Sequence, residues 1–211
     1  MEINKKGAMP LFYSTHMNSI DIPESVEIVE VFALGSELEQ PGIKSIKFGK
    51  FLPNCLFAFT YTCKPRGLDE EPIKVECNKK IVYVPKYRNS GTCGKLEERL
   101  KKYFTQDSEK TCELWNYAYS AKGKESAAIV EYEMLASNSA AIYRKKNARR
   151  IATHLIEEGN EEKTVKFLKF DFLSKTSLNK LASKANKLGQ MTVQAYLLEQ
   201  LKGESKQNFS L

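Results

Sequence analysis

The sequence predicts an α+β protein: a small, mostly antiparallel β-rich N-terminal module followed by a helix-rich C-terminal module. Three observations carry this expectation. β-Branched and alternating apolar runs lie before about residue 94, and helical spacing takes over after the turn-rich stretch RNSGTCGK. The positive charge gathers in the helical part. The expected divisions are residues 1–94 (β-rich), 95–160 (helical, with a basic run) and 161–211 (strand-helix-helix or helical bundle).

Val26, Ile28, Val29, Val31 and Phe32 form a β-branched run that predicts a first strand. Cys55, Phe57, Phe59, Tyr61 and Cys63 alternate along one face of a second. Ile73, Val75 and Cys77 alternate with Lys74 and Glu76, and IVYV resumes after Asn78-Lys79, which is the pattern of a hairpin. Leu96, Leu100 and Tyr103 then recur at helical spacing. The segment CELWNYAYSA fits two readings: Cys112, Trp115 and Tyr119 suit a helix face, whereas Trp115, Tyr117 and Tyr119 alternate as in a strand. From Glu125 to Glu158 there is neither Pro nor Gly, and Ile129, Tyr132, Ala136, Ala140, Tyr143, Ile151 and Leu155 supply a discontinuous apolar stripe. That predicts one long helix, or two with a break near Ser137-Asn138-Ser139, closed by Gly159-Asn160.

At 211 residues, with 42% hydrophobic and 28% charged residues, the chain has the composition of an ordinary globular protein. The first twenty residues lack a secretory h-region, and no apolar stretch is long enough to span a bilayer, so a soluble, cytoplasmic protein is expected. Five cysteines (Cys55, Cys63, Cys77, Cys93, Cys112) without a CxxC pair argue against a disulfide framework and a standard zinc site. No metal and no cofactor are expected.

Net charge is +7, and its distribution is uneven. The run RKKNARR, Arg144 to Arg150, holds five cations and no acid. Between Lys163 and Lys187 seven lysines face the single acid Asp171, so the remainder of the chain is net acidic. Localised basicity is what an electrostatic binding face requires.

Motifs for chemistry are weaker. GTCGK resembles part of a phosphate-binding loop, but that loop needs glycine where Asn89 stands and Ser or Thr where Leu96 stands; a turn feeding a helix is expected instead. Cys93 stands near a predicted helix start beside Lys95, where a thiol can be activated, but the histidines, His16 and His154, are remote in sequence. Glu157, Glu158, Glu161 and Glu162 read as a solvated helix end rather than a catalytic pair. No catalytic residues are assigned.

The segment TVKFLKFDF alternates as a strand, and equally places Val165, Leu168 and Phe172 on one side of a helix. After it come a helix bearing Leu178, Leu181, Ala182, Ala185 and Leu188, capped by Ser174 or Thr176, the turn at Gly189, and a second helix capped by Thr192 with Val193, Tyr196, Leu197 and Leu201 inward. SLNKLASKANKLGQMTVQAYLLEQL, preceded by VKFLKFDF, resembles the ribbon-helix-helix family of DNA-binding proteins. The resemblance implies a homodimer whose paired strands enter the major groove, with Val165, Phe167, Lys169 and Asp171 toward it. Asp171 departs from that pattern because it repels phosphate.

The expected function is nucleic-acid binding, to DNA or RNA, without a membrane association, by a homodimer using Arg144, Lys145, Lys146, Arg149 and Arg150 with Lys166, Lys169, Lys180 and Lys184. The alternative is a non-enzymatic structural or protein-interaction component, such as a viral or phage assembly protein, whose basic helices meet an acidic surface.

Overall fold

The structure, a computed structural model, describes residues 2–3, 18–30, 33–34, 42–62, 70–106 and 113–207. Val31, Phe32, Cys63, Cys112 and His16, used in the reading above, lie outside them. The chain is α+β, with a small sheet followed by helices. It forms two compact units, residues 1–141 and 142–211, and the division falls inside a helix.

In the first unit the strands are β1 (Glu2–Ile3), β2 (Ser19–Ile22), β3 (Ile28–Val29), β4 (Ser45–Phe48), β5 (Ile73–Cys77) and β6 (Lys80–Val84). β1 and β3 pair in parallel, and the main sheet runs β2-β4-β5-β6. Among the pairings of the described main sheet, β5–β6 is antiparallel while β2–β4 and β4–β5 are parallel, which corrects the mostly antiparallel expectation. The connections over residues 23–44 and 49–72 are long enough for the chain to return in the same direction. Asn78 and Lys79, at φ 52 and 62, make the tight hairpin turn that suits strand twist.

Ile20, Ile46, Val75 and Val82 stand opposite one another across the four strands and are all buried. Helix α1 (Cys93–Thr105) brings Leu96, Leu100 and Phe104 into the same core, so residue 94 is not a boundary. Its C-terminal end is tied to the hairpin: Lys80 Nζ donates to the carbonyls of Tyr103 (3.1 Å) and Gln106 (2.6 Å), and the Tyr103 hydroxyl donates to Ile81 O (3.0 Å). A cation is favourable at that end of a helix.

Two local expectations change. Cys55–Ala58 is a 3-10 turn and not a strand; left-handed Asn54 precedes it, and Thr60 Oγ1 closes back on Leu56 O at 2.6 Å. CELWNYAYSA is neither an α-helix nor a strand over residues 113–120: Leu114–Tyr117 is a 3-10 turn, Ala118 then forms a single bridge to Arg88, and Ala121 opens the next helix. Trp115 is buried there, with Lys124 Nζ 5.4 Å from its ring centre.

Helix α2 (Ala121–Leu135) starts on Ser120, whose Oγ accepts from Gly123 N at 2.9 Å, and stops at Ala136 in the left-handed region. Helix α3 (Asn138–Glu158) follows, so the long apolar stripe is two helices broken at the expected place. In the second unit come α4 (Glu161–Leu168), α5 (Lys175–Lys187) and α6 (Met191–Gln207).

The ribbon strand expected over Val165–Phe172 is absent. Asn160 accepts from Lys163 N at 2.9 Å and caps a helix, Glu161 and Glu162 occupy its favourable first turn, and Thr164, Phe167 and Leu168 are buried at helical spacing. The helix-turn-helix of α5 and α6 is present, with Ser174 as cap and Gly189 at φ 70. Thr192 does not cap α6. It lies in the first turn, where Thr192 N and Val193 N donate to Glu161 Oε2 at 2.7 and 3.1 Å. Among the described residues no helix is long and apolar enough to cross a membrane.

Candidate nucleic-acid interface

Helix α3 begins on Ser137, whose Oγ accepts from Ala140 N at 3.4 Å. Within the second unit one face of α3 is buried: Arg144, Ala148, Ile151, Ala152, Leu155 and Ile156 recur at intervals of three and four. The 3.6-residue period forces the intervening residues outward. Lys145, Lys146, Arg149 and Arg150 are all exposed. They form two i,i+4 rows, Lys145 with Arg149 and Lys146 with Arg150. Like charges at this spacing cost roughly 0.2–0.5 kcal/mol per pair in an isolated helix.

The face is shaped as well as charged. Lys146, Asn147, Arg149, Arg150 and Thr153 line a shallow depression of about 420 Å³. Asn147 Nδ2 donates to Tyr143 O at 2.8 Å, and Arg150 Nη2 donates to the Tyr143 hydroxyl at 2.9 Å, which holds the arginine against the helix. Ile142 is 62% exposed on the same side. Asn147, Thr153 and Ile142 were absent from the expected set; counting turns outward from Lys145 and Arg149 finds them.

Arg144 does not belong to this surface. It is fully buried, its guanidinium 4.1 Å from the Phe170 ring centre, 5.3 Å from Phe167 and 6.0 Å from Phe172. Phe170 and Phe172 stack at 5.9 Å. Arg144 sits four residues before Ala148 and seven before Ile151, so the helix turns it inward, and aromatic faces hold a cation away from water. Lys184 is also engaged: its Nζ lies 2.5 Å from Glu157 Oε1. Lys166 and Lys169 are exposed at the C-terminal end of α4, where they complement the helix dipole, and Lys180 is exposed on α5. The structure thus brings together four of the nine expected residues on one helix face.

The first unit holds the other chemical candidates. Cys55, Cys77 and Cys93 are free and buried, and burial pushes each thiol above its ordinary value. For Cys93 the field of Arg88 offsets part of that rise, and Glu97 adds to it. A thiol held protonated is a poor nucleophile. Burial likewise raises the Glu97 carboxyl, against the opposing influence of the Asn54, Leu56 and Cys55 amides and Arg88. Among the described residues no three His, Cys, Asp or Glu side chains are grouped as metal ligands would be.

The chain was compared with protein-family models, curated proteins and solved structures. It matches none of them.

Proposed function

We propose that this protein binds nucleic acid through the exposed face of α3. The observation that carries the reading is the grouping of Lys145, Lys146, Arg149 and Arg150 on one side of a helix whose other side is buried. No acid intervenes between them. A phosphate polymer removes their mutual repulsion and releases its condensed counterions on binding. The role assigns no catalytic residue, cofactor or metal, and treats the protein as a binder rather than an enzyme.

The test is a salt titration of binding to labelled DNA and RNA. Four phosphate contacts correspond to a slope of log affinity against log salt of about −3.6 on duplex DNA and about −2.8 on a single strand. Replacing the four residues by alanine should abolish both affinity and slope, with the circular dichroism spectrum unchanged. A flat salt response, or no binding to either polymer, overturns the reading.

A second reading, a protein-interaction component that self-associates, is favoured by a different observation. Leu188, Met191 and Leu198 are 51%, 66% and 43% exposed around the α5–α6 turn and along α6. Exposed large apolar side chains gathered on one hairpin favour a protein contact. A dimer would also present two basic faces to one polymer.

A further inference from the structure

We infer that the nucleic acid is B-form duplex DNA and that α3 lies along its major groove, with a cationic row toward each phosphate strand. This rests on the nucleic-acid reading and deepens it. At ~100° per residue, Lys145 and Arg149 stand on one side of the exposed face and Lys146 and Arg150 on the other. At angles between the two rows, one turn before Lys145 and one turn beyond Arg150 along the axis, stand Ile142, 62% exposed, and half-buried Thr153, both uncharged. Viewed down the axis the order is therefore cation, neutral, cation, with the two neutral residues at the ends of the cationic rows.

Each candidate polymer would demand a different pattern. A single strand carries one line of phosphates and is held by aromatic platforms on which bases stack. Here the aromatic side chain beside the cations is Tyr143, half-buried, with its hydroxyl accepting from Arg150. Double-stranded RNA hides its major groove in a deep, narrow cleft that side chains do not read. The B-form major groove is about 12 Å wide and admits an α-helix of about 10–12 Å diameter between two phosphate ridges. The two rows match the ridges. Lys145 to Thr153 extends about 12 Å at ~1.5 Å per residue, and Glu157 and Glu158 close the basic face beyond it.

The two neutral residues would then face base edges. A methyl-bearing, branched side chain such as Ile142 recognises the 5-methyl group of thymine, and the Thr153 hydroxyl offers a hydrogen bond to either kind of base pair. Thr153 Oγ1 donates to Arg149 O at 2.8 Å, so its hydroxyl proton is engaged and its oxygen can only accept from a base amino group. Ile142 is thus proposed as the specificity-determining contact, and the four cations as positioning contacts to phosphate.

The experiment uses the full chain and one thymine-rich sequence prepared as DNA duplex, DNA single strand, RNA duplex (with uracil for thymine) and a DNA duplex with deoxyuridine for thymidine, with polyglutamate as a polyanion that carries no bases. The DNA duplex should bind tightest. Deoxyuridine should weaken binding about fourfold, the weight of one buried methyl group. Ile142→Ser, at an exposed position, should erase the thymidine–deoxyuridine difference while keeping the salt slope. Equal or tighter binding to the single strand, to RNA duplex or to polyglutamate overturns the groove assignment and leaves polyanion binding standing. Equal affinity for the two DNA duplexes overturns the Ile142 contact and the groove placement with it. Absence of salt-dependent binding to every polymer overturns the parent reading as well.

Discussion

Arg144 and Arg149 stand in the same basic run with opposite surroundings, one enclosed by three phenylalanine rings and the other exposed. Their alanine variants should therefore fail differently. Arg144→Ala removes a desolvated cation–π contact and a buried side chain, and should lower stability in chemical denaturation by roughly 2–5 kcal/mol. Lysine should not rescue it, because a compact ammonium lacks the planar face that stacks on aromatic rings. Arg149→Ala should leave stability within about 0.5 kcal/mol and reduce the salt slope on duplex DNA by about 0.9. Equal loss of stability in both variants would contradict the burial of Arg144. The charge of RKKNARR was legible in the sequence, whereas its division between inside and outside was not. That division depends on helix phase, which becomes definite only once Ala148, Ile151 and Leu155 are known to be buried.

At the scale of elements, what depends on neighbouring residues could be read and what depends on distant ones could not. The β5–β6 hairpin follows from Asn78-Lys79, and α5 and α6 follow from spacing around Gly189. The parallel pairings of β4 carry no local signature, because long connections leave strand direction free. KFLKFDF satisfied both periods; the Asn160 cap and the acidic first turn of α4 decide for helix. The same Glu161 reaches the first amides of α6, a contact between helices thirty-odd residues apart that no local rule indicates. A hydrogen bond from the Thr192 side chain foremost, and then the amides of Val193 and Thr192, hold the Glu161 carboxyl below its usual range against a small opposing effect of burial. A depressed carboxyl contributes stability above its unfolded pKa and loses it as pH falls through the folded one. Glu161→Gln should speed hydrogen exchange at Thr192 and Val193 at neutral pH, and the parent protein should approach the variant at acid pH. Identical exchange in the two proteins at neutral pH would remove the cap.

For the whole molecule, the dimer expected from paired ribbon strands has lost that basis, since α4 occupies the segment. What favours self-association now is the exposed trio at the α5–α6 turn and on α6, Leu188, Met191 and Leu198. Sedimentation over a concentration series should show a reversible dimer, which Leu188→Ser with Met191→Ser returns to monomer. A single monomeric species at all concentrations would end the second reading and leave α3 untouched.

Trp115 is the only tryptophan in the chain, and it is 5% exposed within the first unit. Light emission excited at the red edge of protein absorbance therefore comes from residues 1–141 alone, while helices α4, α5 and α6 belong to the other unit. Nature has placed an optical label on one half of the protein and the proposed ligand contact on the other. Melting followed by tryptophan emission and melting followed by backbone ellipticity are consequently two separate thermometers, and their coincidence or separation measures how far the halves unfold as one.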